Sequence, residues 1–339
     1  MIRYFLELHT YYRNFRSDYS WISSGNLKGK PMKLFKYLAP NRIDVLKNQR
    51  IRFTQPASLN DPFEMKPYVE SLAEDRVIKE LLCVLGEDGL KNGFDSMISS
   101  VLDDIRNPPE KPLISFEEEC IYNFSLPLYD RKQYSETFIN EFVEDMKRRM
   151  PEFREAIFSK FNEIGVLSLT AVCNDIPMWA HYAQSNKGFV IEFDGAHDFF
   201  TKSTDSDYLF DHLYEVTYSE ERPGSCSLFD ERLMDDVLFV KSERWKDERE
   251  WRLLQPLESG RRLEKEGEVI LDDYEQPIYL FSLPPSCITG IIFGSRMSNA
   301  NKSEMCRILS IADYSHVKRY QAVLDDKKFE LNIVAEGEI

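Results

Sequence analysis

An α+β fold, one mixed domain with a central sheet and a helical lobe, is predicted by three features of this 339-residue chain. Short runs with strand character cluster between residues 32 and 54 and again after residue 165. Between them, from about Leu72 to Ile164, apolar residues recur at helical spacing. Helices and strands in the second half follow no regular βαβ rhythm, which argues against a doubly wound sheet.

Residues 1–30 are rich in aromatics and end in Ser23-Ser24-Gly25-Asn26-Leu27-Lys28-Gly29-Lys30, which reads as a linker. They form an N-terminal appendage, and the α+β domain spans 31–339. Met32 to Tyr37 reads as a strand, Asn41 caps a helix through about Asn48, and Ile51-Arg52-Phe53-Thr54 reads as a second strand. Pro56 to Glu64 is a polar turn crowded with backbone-fixing residues. The helical lobe, about 70–164, is interrupted near Asn107-Pro108-Pro109 and between Glu117 and Pro127. Its last two helices read as Tyr134–Arg149 and Glu152–Ile164, with Pro151 in a first turn and Gly165 as the stop.

The second half opens with a strand at Val166–Thr170, then a short helix capped by Asp175 with Pro177 in its first turn. Further strands read at Phe189–Phe193, Tyr214–Tyr218, Glu250–Leu254, Ile278–Leu283 and Ile288–Phe293. A helix near Lys302–Ala312 precedes late strands around Val317–Leu324 and Phe329–Val334.

Net charge is −15, unevenly spread: residues 1–50 carry a balance of +7, which leaves −22 for the rest. An acidic body does not steer itself non-specifically onto nucleic acid, where binding depends on neutralising phosphates. No apolar stretch reaches membrane-spanning length, so no membrane partner is expected. The N-terminus lacks a secretory leader's apolar core and cleavage site. The six cysteines are scattered, with no CxxC pair or Cys/His cluster. A reducing cytoplasm is the expected location, and no metal is expected.

The residues with most chemical content are Arg244-Trp245-Lys246-Asp247-Glu248-Arg249-Glu250-Trp251-Arg252-Leu253-Leu254. In a strand that starts early enough, Glu248 and Glu250 share one face, opposite Arg249 and Trp251. Two such carboxylates repel and require a cation, a metal, a shared proton or a positively charged ligand. A solvated edge strand is the simpler alternative, and the flanking tryptophans argue against it.

Three other clusters carry polar groups: Phe35-Lys36-Tyr37, the Asn60-Asp61-Pro62-Phe63-Glu64 turn, and Ser168-Leu169-Thr170 with Met178-Trp179-Ala180-His181-Tyr182. Ser168 and Thr170 share a strand face; ordinary hydroxyl–backbone bonding explains them equally well. Asn60 and Asp61 suit an Asx turn, or Asp61 and Glu64 point into a cleft with the glutamate pair. His181 reads as a structural helical histidine or a site residue. Gly294-Ser295-Arg296, at a strand end, suits an anion. No Gly-x-Ser-x-Gly elbow or phosphate-binding glycine loop accompanies them.

Leu34-Phe35-Lys36-Tyr37, Leu59 to Glu64, Val166 to Thr170, Met178 to Tyr182, Lys187-Gly188 and the Trp245 to Arg252 run together resemble the bacterial family catalogued as domain of unknown function 2971, over roughly residues 32–300. The family name implies no activity. The order of an early polar strand, a Ser-x-Thr strand and a late Glu-x-Glu also resembles ADP-ribosyltransferases, enzymes that take NAD as substrate. That resemblance implies that Glu250 steadies the cationic ribose as nicotinamide leaves and Glu248 serves the acceptor. It further implies that Ser168 supports the glutamate and that Tyr37 or Tyr182 stacks on nicotinamide. Lys36 stands where that pattern has Arg or His.

The leading expectation is therefore a cytoplasmic ADP-ribosyltransferase-like enzyme, a toxin or phage-defence effector, modifying a protein or nucleic-acid acceptor. Catalysis is assigned to Glu250, Glu248 and His181, and NAD binding to Lys36, Tyr37, Asn60, Asp61, Ser168 and Tyr182. These residues are expected to converge on one cleft. The alternatives are a metal-dependent nuclease or hydrolase using Asp61, Glu64, Glu248 and Glu250, and a non-catalytic sensor or interaction module.

Overall fold

Phe189-Val190-Ile191-Glu192-Phe193 is apolar at almost every position, the signature of a strand covered on both faces. In the computed structural model it lies inside an eight-stranded sheet. The structure describes residues 33–66, 69–71, 135–148, 150–201, 210, 212–223, 225–227 and 233–337. The appendage expected over 1–30, residues 72–134 of the expected lobe, and its two expected interruptions lie outside the described residues.

The strands are β1 (Lys33–Leu38), β2 (Arg50–Phe53), β3 (Val69–Ser71), β4 (Ile164–Thr170), β5 (Phe189–Asp194) and β6 (Leu213–Glu215). Next come β7 (Thr217–Ser219), β8 (Ser225–Ser227), β9 (Val240–Ser242) and β10 (Glu250–Pro256). Three two-residue strands follow: β11 (Arg261–Arg262), β12 (Glu264–Lys265) and β13 (Glu268–Val269). The last are β14 (Tyr279–Ser282), β15 (Ile288–Phe293), β16 (Lys318–Leu324) and β17 (Leu331–Ala335). The helices are α1 (Asp44–Asn48), α2 (Glu136–Arg148), α3 (Met150–Phe161), α4 (Ile176–His181), α5 (Leu233–Phe239) and α6 (Asn299–Leu309).

Contacts divide the chain into two compact units. One carries Met65–Phe161 and Arg222–Leu238, and so holds α2, α3 and the parallel pair β3–β8. The other carries Ser23–Glu64, Asn162–Glu221 and Phe239–Ile339. It is an α+β unit, and its main sheet has the order β17-β16-β15-β5-β1-β4-β10-β6. All neighbours are antiparallel except β15 and β16, whose parallel pairing uses α6 as the crossover.

β1 pairs with β5 along its length, from Lys33 opposite Asp194 to Leu38 opposite Phe189, and with β4 at Phe35 opposite Thr170. β4 pairs with β10 over seven positions, Glu250 opposite Thr170 through Pro256 opposite Ile164. Alternation along these strands makes two cores. Leu34, Leu38, Ile191, Phe193, Leu167, Leu169 and Leu253 share one with α1 and α6. Phe35, Tyr37, Val190 and Ile292 share the other with Met178 and Trp179 of α4.

Asp175 caps α4 by accepting the Met178 N–H at 2.7 Å, and Pro177 sits in the first turn, as the sequence predicts. Gly188 starts the approach to β5 because a Cβ there would lie 2.0 Å from the Leu38 carbonyl oxygen. Two expectations are corrected. Gly165 is a residue of β4, not a helix stop, packed against Phe53 and Leu257. The Tyr214–Tyr218 strand is split: β6 joins β10, whereas β7 pairs in parallel with β9. Buried Val216 marks the break and donates its N–H to the Glu250 carbonyl at 2.9 Å.

Candidate functional site

Lys241 is the middle residue of the three-residue strand β9 and is buried. An ammonium out of water requires partners, and three glutamates supply them. Nζ lies 2.7 Å from Glu248 Oε2, 2.8 Å from Glu250 Oε2 and 3.7 Å from Glu64 Oε2. It also stands 5.1 Å from the centroid of the Trp245 ring. Arg252, two residues along β10 from Glu250, is a second buried cation. Its Nε donates to Glu250 Oε1 at 2.9 Å and its Nη2 to Glu250 Oε2 at 3.2 Å and to Glu64 Oε1.

The strand does not start early enough to carry both members of the glutamate pair. β10 begins at Glu250, Glu248 closes the 3-10 turn Glu243–Glu248, and Arg249 between them is left-handed at φ 42°, ψ 55°. The pair meets all the same, because this turn is pinned to the end of β4. The Thr170 hydroxyl donates to the Glu248 carbonyl, and the Ala171 N–H donates to the Arg249 carbonyl at 3.2 Å.

The outer end of the network is Tyr182, just past α4. Its hydroxyl donates to Glu248 Oε1 at 2.7 Å and accepts from Asn60 Nδ2 at 3.0 Å. Side-chain exposure is 12% for Glu248, 4% for Glu250 and 1% for Glu64, so Glu248 is the carboxylate nearest solvent. Asp61 is buried beside this group: its Oδ1 accepts the Phe63 N–H at 2.9 Å, which makes the Asx turn, and its charge acts on Arg252.

Among the described residues, four carboxylates thus face two cations, a formal excess of negative charge. Burial opposes the charge on Lys241, but Glu250 and Glu248 outweigh it and hold the ammonium above its ordinary value. Burial pulls Arg252 down to about 9, against the pull of Asp61, which leaves the guanidinium charged at neutral pH. Burial and the Glu248 carboxylate push the Tyr182 phenol up, so it stays protonated as a donor. Tyr218, whose hydroxyl accepts the Glu250 N–H at 2.8 Å, is pushed up by burial to about 12.

The structure therefore gathers Asn60, Asp61, Tyr182, Glu248 and Glu250. The other named residues make none of these bonds. His181 is exposed at the end of α4, its ring edge-on to Tyr182 at 6.4 Å. Tyr37 is buried in the core, edge-on to Trp179 at 5.3 Å, with its hydroxyl on the Val172 carbonyl at 3.2 Å. Lys36 rises on the sheet face of Leu34 and Leu38, whereas Thr170 and Glu250 stand opposite Phe35 on the other face. Its ammonium donates to the Ser168 carbonyl at 2.8 Å, between the Phe35–Thr170 pair and the bridge from Thr54 to Val166. Burial lowers Lys36 to about 8. Ser168 enters that contact through its backbone; in the ladder it stands opposite Arg252, on the face of Thr170 and Glu250.

Sequence reasoning missed Lys241 and Arg252. The available signal was a single charged residue inside an apolar run, Phe239-Val240-Lys241 and Trp251-Arg252-Leu253-Leu254. For the metal alternative, among the described residues no group of three or more His, Cys, Asp or Glu is placed to hold an ion. The position between Glu248 and Glu250 is filled by the Lys241 ammonium. No helix among those residues is long and apolar enough to cross a membrane.

Fold and site together define an α+β protein with a buried Lys–Arg–Glu network at the junction of β4, β9 and β10. Residues 178–253 match the model of the family described as Protein of unknown function (DUF2971), and this stretch is similar to that family. It contains Tyr182, Lys241, Glu248, Glu250 and Arg252, and it is narrower than the 32–300 span of the sequence resemblance. No curated protein and no solved structure matches the chain.

Proposed function

We propose that this chain is an ADP-ribosyltransferase-like enzyme that takes NAD as substrate, with Glu248 as its working carboxylate. The observation that carries the reading is the placement of Glu248: the outermost carboxylate of an anionic network, fixed by Lys241 on one oxygen and Tyr182 on the other. When the bond from ribose to nicotinamide breaks, positive charge develops on the ribose. A preoriented carboxylate next to that centre acts mainly in the transition state. Glu250 takes a supporting role, because it lies deeper and is held by two buried cations, Arg252 and Lys241. Tyr182 and Asn60 border the reacting end, and the acceptor is a protein or a nucleic acid. A toxin or phage-defence effector working in a reducing cytoplasm fits such chemistry.

The test is nicotinamide release from NAD by purified protein, with and without candidate acceptors and with chelator present. Wild type should release nicotinamide in the presence of chelator, and Glu248→Gln should lose about 10²–10³ in rate. Failure of NAD to bind or turn over, with divalent-dependent cleavage of nucleic acid instead, overturns the proposal in favour of the nuclease reading. A non-catalytic interaction module is the second reading, favoured by how fully Glu250 is bonded inside the protein.

A further inference from the structure

We propose that Lys241 is the positioning residue of this site: its one ammonium fixes the rotamer of Glu248 and offsets part of the charge of three glutamates. The proposal rests on the reading of Glu248 as the working carboxylate. Glu248 and Glu250 meet Lys241 Nζ at 2.7 and 2.8 Å, and Glu64 Oε2, a buried oxygen without a hydrogen-bond partner, lies 3.7 Å away. Arg252 grips Glu250 and Glu64, so Lys241 is what ties Glu248 to the rest. A compact ammonium suits this post better than a planar fork, because it serves several carboxylates from one point.

The charged and titratable groups around Glu248 are Lys241 on β9, Tyr182 after α4, Glu250 with Arg252 on β10, and Tyr218 on β7. Glu64 and Asp61 complete the set from the polar turn, and Lys36 from the opposite sheet face is a more distant charge. With Lys241 removed, this group keeps its carboxylates and, among the described residues, has Arg252 as its one remaining inner cation. Like charges at that spacing do not all stay ionised, so the cluster takes up a proton.

Two readouts test this on the full chain. Difference potentiometric titration needs no substrate: on acidification from pH 8 to 5, Lys241→Met should take up about one proton more than wild type. The double variant Lys241→Met with Glu250→Gln, which removes a cation and an anion together, should lose that extra uptake. In nicotinamide release, Lys241→Met should move the acid limb of the pH–rate profile up by about one unit or more, and Lys241→Arg should move it less. Unchanged proton uptake from pH 8 to 5 in folded Lys241→Met overturns the proposal even where NAD is turned over. Absent NAD turnover with the extra proton present instead sinks the transferase reading and leaves Lys241 as the charge hub. Should Lys241→Met fail to fold, a folded double variant supports charge balance, and failure of both to fold overturns it.

Discussion

Glu248 and Glu250 share the ammonium of Lys241, at 2.7 and 2.8 Å, although only Glu250 belongs to a strand. The pair is therefore a meeting of two backbone environments, a 3-10 turn and a ladder, across one left-handed residue, Arg249. The two carboxylates have different surroundings and should respond differently to substitution.

Removing a charge from the inside of the network should cost more than removing it from the edge. Glu250→Gln breaks two buried ion pairs and sets an amide donor against Arg252 and Lys241, a change that typically costs about 3–5 kcal/mol. Glu248→Gln keeps an oxygen for Tyr182 and lies closer to water, so its cost should be clearly smaller. Urea unfolding of both variants at pH 7 checks the order; equal losses would refute it.

Tyr182→Phe removes one hydroxyl that bonds both Glu248 and Asn60. Stability should fall by about 1 kcal/mol, while nicotinamide release should fall more than that stability change accounts for. Thermal melts with a rate assay on the same preparation separate the two effects.

Trp179 is fully buried, with its indole N–H on the Cys173 carbonyl at 2.9 Å. Trp179→Ala should cost about 3–5 kcal/mol. Trp251 is only partly buried against the sheet core, so Trp251→Ala should cost less. Chemical denaturation of the two variants side by side measures the difference.

Lys36 predicts a pH effect of definite sign. Its native value is lowered to about 8 from 10.5, so between those limits the unfolded chain holds more protons than the folded one. Stability then rises with pH in that window, and the contribution is least favourable below pH 8. Lys36→Met lacks this slope. Denaturation midpoints from pH 7 to 10 should show wild type gaining on the variant as pH rises, and a constant gap would exclude a buried, depressed lysine.

The strands of the sheet were legible because their apolar runs are short and bounded, and the cap at Asp175 because cap chemistry is local. The site was legible only in part. Asn60, Asp61, Tyr182 and the glutamate pair are conspicuous polar residues in apolar surroundings, and they do come together. Lys241 sits on a three-residue strand with no periodicity to expose it, and its partners lie seven to 177 residues away. Lys36 emerges on the other sheet face, which strand alternation alone cannot assign across neighbours until their register is known. The left-handed Arg249 is likewise invisible in a residue type that seldom adopts that conformation.

The placement of β1 sets a schedule for synthesis. Both of its neighbours come from far later in the chain: the contact from Lys36 to Ser168 spans 132 residues, and the ion pair from Lys33 to Glu192 spans 159. At roughly 5–20 residues per second, a ribosome needs on the order of ten seconds to deliver them. For that interval Leu34-Phe35-Lys36-Tyr37-Leu38 is an apolar segment with two open edges, waiting for β4 and β5 to emerge. The strand at the centre of the finished sheet is thus made early and paired late.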